Sequence, residues 1–79
     1  MRVLLFAHLK DATGVAELEL EISESLDADG LWRELIAAQP GLAKFRSTTR
    51  LARNGEYTDA QTRFTDADEV ALIPPVSGG

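Results

Sequence analysis

The fold is decided by the C-terminal stretch, which reads Glu69-Val70-Ala71-Leu72-Ile73-Pro74-Pro75-Val76-Ser77-Gly78-Gly79. Its first five residues are the most strand-like segment of the C-terminal half, with Val70 and Leu72 on one face and Ala71 and Ile73 on the other. Two consecutive prolines remove two backbone donors, so the sheet must end where they begin. The sequence therefore predicts a core strand that passes directly into a stiff stalk and a side-chain-free tip.

The Gly78-Gly79 tip has two interpretations. Terminal glycines are often frayed ends or cloning remnants, and cutting them then costs nothing. Alternatively, the carboxylate of Gly79 is itself the reactive group, because a tip without Cβ atoms enters a channel too narrow for other residues. A glycine pair on a rigid stalk directly after a core strand favours the second interpretation. We therefore divide the chain into a domain of residues 1–73 and an extended tail of residues 74–79.

Composition narrows the function classes. Seventy-nine residues make one domain with a small core. The chain has no cysteine, which excludes disulfides, thiolate metal ligands and a cysteine nucleophile, and fits the cytoplasm. A net charge of −5 disfavours nucleic acid, and no segment approaches the ~20 apolar residues that cross a bilayer. We expect a cytoplasmic protein without nucleic-acid or membrane partners.

The remaining pattern predicts a mixed sheet with one main helix. A helix with Asp27 as its N-cap and Pro40-Gly41 at its end carries an apolar stripe of Leu31, Leu35 and Ala38, widened by Trp32 and Ile36. In the order β-β-α-β-β-β, a single helix covers one sheet face, and the first and last strands are parallel neighbours. This is the α+β class, in the β-grasp or ubiquitin-like arrangement. The other predicted strands span residues 2–9, 16–22, 50–53 and 56–58, with residues 10–15 as a polar connection and Asn54-Gly55 as a type I′ hairpin turn.

A second apolar face remains uncovered in this arrangement. If Val3, Leu5, Val70 and Leu72 face the helix, then Leu4, Phe6 and Ile73 face away, joined by Tyr57. An apolar cluster beside the root of a tail is more often a docking surface. The alternatives are that residues 42–49 fold over it or that the exposed apolar side chains have no role. Arg50, Arg53 and Arg63 are candidates for its rim, although such charges are usually only solvated.

No other chemistry is visible in the sequence. His8 is the only histidine, so a zinc site would need an unusual set of carboxylates. A catalytic triad and a phosphate-binding glycine loop are missing from the pattern. Asp66, Asp68 and Glu69 resemble a solvated turn more than a cation site. We expect no metal, no bound cofactor and no active site of the chain's own, but a substrate-like end.

The run from Phe64 to Gly79, together with Val3-Leu-Leu-Phe-Ala7 and Asn54-Gly55-Glu56-Tyr57, resembles the small subunit of molybdopterin synthase, the MoaD family of ubiquitin-like sulfur carriers. The resemblance covers essentially the whole chain, and its Pro-Pro-Val-Ser-Gly-Gly ending is specific. The chain departs from the family at Ala67, where a turn glycine is usual, and Gly30 is unusual near a helix start.

This resemblance implies a mechanism and its partners. An E1-like enzyme adenylates the Gly79 carboxylate with ATP, and a sulfur donor protein converts it to a thiocarboxylate. The carrier docks on the large synthase subunit in a heterotetramer and gives sulfur to cyclic pyranopterin monophosphate during molybdenum cofactor biosynthesis. The resemblance assigns passage to Gly78 and Gly79, reach and direction to a stalk that starts with Pro74 and Pro75, and partner contact to an apolar set. The stalk continues through Val76 and Ser77, and the apolar set is Phe6, Tyr57 and Ile73.

Three alternatives stay open. Related carriers deliver sulfur to thiazole, cysteine or tRNA thiolation pathways. A ubiquitin-like modifier would instead be attached to lysines through Gly79. A plain protein-binding β-grasp module would have an inert tail.

Overall fold

The computed structural model describes residues 1–75, so the predictions for Val76, Ser77, Gly78 and Gly79 lie outside the described residues. Within residues 1–75 the sheet has five strands in the order β2-β1-β5-β3-β4. No described helix is long and apolar enough to cross a membrane. The elements are β1 Arg2–Leu5, α1 Ala7–Thr13, β2 Glu17–Glu19, α2 Ala28–Ala38, a 3-10 helix Pro40–Phe45, β3 Arg50–Arg53, β4 Glu56–Tyr57 and β5 Glu69–Ile73.

Strand β5 occupies the centre of the sheet. It is parallel to β1 and antiparallel to β3, which confirms the predicted pairing of the first and last strands. Cross-strand register places Val3 beside Val70, and Leu72 between Leu5 and Leu51. These five side chains are almost fully buried and form the sheet's contribution to the core. The strand that ends at the tail is thus held on both sides.

Helix α2 covers this inner face, as predicted. The Asp27 carboxylate accepts a hydrogen bond of 2.8 Å from the Gly30 N–H, which confirms Asp27 as the N-cap. Leu31, Trp32 and Leu35 are buried against the sheet. The prediction for Ala38 was wrong, because it is exposed at the last helical residue.

A second α-helix replaces the end of the predicted first strand. Strand β1 stops at Leu5, and α1 runs over residues predicted to continue the strand and then loop. Leu9 is fully buried, whereas Ala7 is exposed. The helix ends at Gly14, whose φ of 78° suits a residue without a Cβ. A helix of seven residues has too few turns to produce a clear 3.6-residue apolar repeat, so the pattern did not predict α1 beside the main helix α2.

Other boundaries also differ from the prediction. Strand β2 spans Glu17–Glu19 and is shorter than the predicted strand of residues 16–22, although Leu18, Leu20 and Ile22 pack on the core. Strand β4 ends at Tyr57, one residue earlier than expected. Asn54 and Gly55 have φ of 51° and 87°, which confirms the type I′ turn. The 3-10 helix lies between α2 and β3, and its Leu42 and Phe45 pack with the core.

Candidate docking face and tail root

The sheet face opposite α2 is apolar along its centre. Register places Ala71 between Leu4 of β1 and Ala52 of β3, and Tyr57 lies beside Ala52. Phe6 and Tyr57 are 46% and 60% exposed, and they are the exposed large apolar residues of the described part of the chain. The predicted second apolar face is therefore present, and residues 42–49 do not cover these two rings. We call it the outer face, and its apolar members are Leu4, Phe6, Ala52, Tyr57, Ala71 and Ile73.

Phe6 is placed by the abrupt change from strand to helix. Its backbone is extended, and its C=O accepts a hydrogen bond of 3.1 Å from the Leu9 N–H. The next residue, Ala7, has a φ of 51°, a conformation that costs a residue with a Cβ on the order of 1 kcal/mol. This turn ends β1 and leaves the Phe6 ring half exposed at the end of the outer face.

Arg50 stacks on the Tyr57 ring at the other side of the outer face. Its guanidinium carbon lies 4.1 Å from the ring centroid, within cation–π range. The stack forms because Tyr57 pairs with Ala52, and Arg50 lies two residues before Ala52 on the same face. The pattern of the sequence did not reveal this contact, since it joins two strands through their register.

The other two candidate rim arginines make hydrogen bonds to the backbone. Arg53 donates a hydrogen bond of 2.6 Å to the Arg63 C=O, and Arg63 donates one of 3.0 Å to the Ser25 C=O. These bonds connect β3 to the loop after β4, and that loop to the segment before α2. Among the described residues, Arg50 is the one of the three arginines with a cation–π contact to the outer face.

Ion pairs lie on the β1–β2 side of the outer face. Arg2 donates hydrogen bonds of 2.6 Å to Glu17 and 3.2 Å to Glu69, bridging three strands. The hydrogen bond and charge of Glu17, with the charge of Glu69, raise the pKa of Arg2. All three side chains are exposed, so these pairs contribute little to stability. A concavity of about 490 Å³ lies here, lined in part by Leu4, Phe6 and Lys10.

The root of the tail lies at the Phe6 end of the outer face. Leu72 pairs with Leu5, so Ile73 comes level with the junction of β1 and α1. Ile73 and Pro74 are half-buried, and Pro75 is exposed. The structure thus brings Phe6 and Ile73 to one end of the face, with Tyr57 across β3. Their predicted role in partner contact stays a prediction.

The acidic turn before β5 is structural. Asp68 accepts hydrogen bonds from the Thr65 N–H at 2.8 Å and the Asn54 amide at 3.0 Å. Burial raises its pKa, but these bonds outweigh that effect and the net pKa is lowered. The Ile22 N–H and the terminal ammonium of Met1 likewise lower the pKa of Asp66. In the described part of the chain, no three potential ligand side chains of His, Cys, Asp or Glu gather for a metal.

The only histidine of the sequence, His8, makes a packing contact with an aromatic ring. His8 is exposed on α1, and its ring centroid is 5.4 Å from that of Phe45, whose ring also lies 5.3 Å from the Lys44 ammonium. This contact packs α1 against the 3-10 helix.

Taken together, a mixed five-stranded sheet with α2 on one face and a central strand leading into the tail define a ubiquitin-like β-grasp protein. The sequence profile of the ThiS family matches residues 3–79, and the chain belongs to this family. A relative in Arabidopsis thaliana, called molybdopterin synthase sulfur carrier subunit, is 39% identical over 79 residues, covering 100% of this chain and 82% of its own. This relative supports the resemblance read from the sequence.

Solved structures confirm the β-grasp fold. SAMP1 from Haloferax volcanii superposes with a TM-score of 0.83 at 27% identity, covering 99% of this chain and 97% of its own. A chain in the complex of subunits 1 and 2 of the molybdopterin-converting factor from Helicobacter pylori superposes with a TM-score of 0.67 at 24% identity. It covers 99% of this chain and 96% of its own, and at this identity it shows the fold alone.

Proposed function

We propose that this chain is the sulfur-carrier subunit of a molybdopterin synthase. The observation that carries the proposal is the continuity of the central strand β5 with a proline stalk and a glycine tip. Strand β5 is paired on both sides, so the domain is a rigid base from which the tail extends. The name of the plant relative supports the pathway. The absence of cysteine in the sequence supports a cytoplasmic location.

The proposed chemistry takes place on the carboxylate of Gly79. An activating enzyme of the E1 type transfers AMP from ATP to this carboxylate and releases pyrophosphate, which converts a poor electrophile into a reactive acyl adenylate. A sulfur donor protein then delivers sulfur at the oxidation level of sulfide to the acyl carbon, AMP leaves with the electrons of the broken C–O bond, and a thiocarboxylate remains. This group is a soft nucleophile that needs no cysteine in the carrier. Gly78 and Gly79 suit a narrow channel because they lack Cβ atoms.

The outer face is proposed to dock on the large synthase subunit. Phe6 and Tyr57 are exposed, and Ile73 lies at the root of the tail, so a partner seated there receives the tail at a fixed starting point. Six extended residues reach roughly 20 Å, enough to enter a partner's active site. Two sulfur transfers to cyclic pyranopterin monophosphate then build the dithiolene of molybdopterin. The assembly is expected to be a heterotetramer.

A second candidate function is a lysine-conjugated modifier. SAMP1, the small archaeal modifier protein 1, has a similar fold at 27% identity. In this case the activated Gly79 carboxylate would form an amide with a lysine amine. The same tail and the same activating chemistry serve both functions, so only the product separates them.

Intact-mass spectrometry of the chain isolated from its native host tests the proposal. We expect a terminal mass increase equal to the difference between sulfur and oxygen, and loss of this form when Gly79 is deleted. The deletion is expected to leave the fold and the docking intact, because residues 1–75 hold the core. Gly79 found only in amide linkage to lysines would favour the modifier. A deletion variant that still supports molybdopterin synthesis would contradict the sulfur-carrier function.

A further inference from the structure

We propose that Arg50 selects the partner of the outer face by receiving one of its carboxylates. This inference rests on the docking role proposed above and adds the chemistry of the partner's surface to it. The expected partner surface is apolar, with an Asp or Glu placed over the Arg50–Tyr57 stack.

The stack leaves Arg50 ready for such a contact. The guanidinium carbon lies over the Tyr57 ring, 4.1 Å from its centroid. The N–H donors lie in the guanidinium plane, and within residues 1–75 none of them makes an ion pair. Both side chains are exposed. A stacked arginine also loses less conformational entropy when it binds, because the ring already restricts it.

The hydrogen bonds of the other arginines show the contrast. Arg2 and Arg46 bind the carboxylates of Glu17 and Asp29, and Arg53 and Arg63 bind backbone carbonyls. Within residues 1–75, the Arg50 side chain makes no ion pair or hydrogen bond. Arg33, exposed on α2, is also without such a partner in these residues, but its helix covers the opposite sheet face. Arg33 is therefore a matched control.

The charge close to Arg50 favours an anionic contact. The chain has a net charge of −5, so most of its surface attracts cations. Near β2, Arg2 pairs with both Glu17 and Glu69, which leaves a negative charge there, whereas near β4 Arg50 has no ion-pair partner within residues 1–75. A carboxylate matches the arginine fork with two parallel hydrogen bonds. A cation at the same place on a wrong partner would be repelled.

The position of Arg50 connects this contact to the tail. Arg50 pairs with Ile73, the last residue of β5 before the prolines. A carboxylate fixed on Arg50 would therefore hold the partner at the point where the tail begins. Apolar contacts through Phe6 and Tyr57 supply area without fixing direction, whereas a bidentate charged contact fixes orientation.

Titration calorimetry of the full chain with the large synthase subunit from the same organism tests the inference. We expect R50Q to raise the Kd about tenfold and R33Q less than twofold, since only the first removes a charge from the interface. R50K keeps the charge without the fork and is expected to lie between wild type and R50Q. The affinity of R50Q should also depend less on salt than that of the wild type. Equal effects of R50Q and R33Q would overturn the inference.

Charge reversal gives the second readout. R50E is expected to bind more weakly than R50Q, and one Asp→Lys or Glu→Lys variant of the partner should restore its binding. If no such partner variant restores it, Arg50 does not receive a carboxylate and the inference is wrong. Failure of the wild-type chain to bind the large subunit would instead overturn the proposed function. If R50Q has the same free energy of unfolding as the wild type, any loss of affinity comes from the docking contact and not from the fold.

Discussion

The two faces of one sheet have the same kind of side chains and different surroundings. On the inner face, Val3, Val70 and Leu72 are fully buried under α2. On the outer face, Leu4 and Ile73 are only half-buried, and Phe6 and Tyr57 are exposed. A single main helix covers only one face, which leaves the apolar residues of the other face for the docking role proposed above. Strand β5 supplies residues to both faces in alternation.

The sharpest test of this difference compares neighbouring residues of β5. Leu72→Ala is expected to lower the free energy of unfolding by about 2–5 kcal/mol, because it opens a cavity in the core. Ile73→Ala is its matched control on the outer face and should cost less than about 1.5 kcal/mol. Urea unfolding followed by the fluorescence of Trp32, the only tryptophan, measures both. Similar losses for the two variants would show that the outer face also belongs to the core.

A charged residue on the outer face should separate binding from folding. Phe6 is the N-cap of α1 and makes no side-chain capping bond. In Phe6→Asp, the new carboxylate can cap α1, which stabilises the helix by about 1 kcal/mol. The same substitution removes the Phe6 ring from the outer face. We therefore expect nearly unchanged stability and a Kd for the large subunit at least about tenfold higher. Calorimetry and urea unfolding of the same preparation check both.

Ala37→Asp is the control for this variant, because it adds the same charge at an exposed position of α2. It should leave binding unchanged and cost only about 0.3–1 kcal/mol of stability near the helix C-terminus. If Phe6→Asp and Ala37→Asp bind the large subunit equally tightly, Phe6 does not take part in docking.

The alternation of each strand predicted most of this arrangement. The alternation in β5 correctly placed Val70 and Leu72 on the inner face and Ala71 and Ile73 on the outer face. The Asn54-Gly55 dipeptide correctly placed the hairpin turn. Helix α1 was missed because Leu9 is its only buried residue, and one buried position makes no period. The Arg50–Tyr57 stack was missed for a different reason. It depends on the register of β3 against β4, which no local pattern encodes.

The smallest expected effect concerns the start of β5, the strand that the two faces share. Hydrogen bonds lower the pKa of Asp68, so its contribution to stability is present above its ordinary pKa near 3.8 and lost as the pH falls through the lower value in the folded state. Asp68→Asn should therefore flatten the loss of stability below about pH 4 and lower stability slightly at neutral pH. Asp11→Asn, at an exposed position of α1, is the control. Thermal unfolding of each variant between acidic and neutral pH measures the slope. If stability depends on pH in the same way for Asp68→Asn and the wild type, the turn before β5 forms without the ionised carboxylate. Pairing with β1 and β3 would then be enough to fix which residues of β5 face inward.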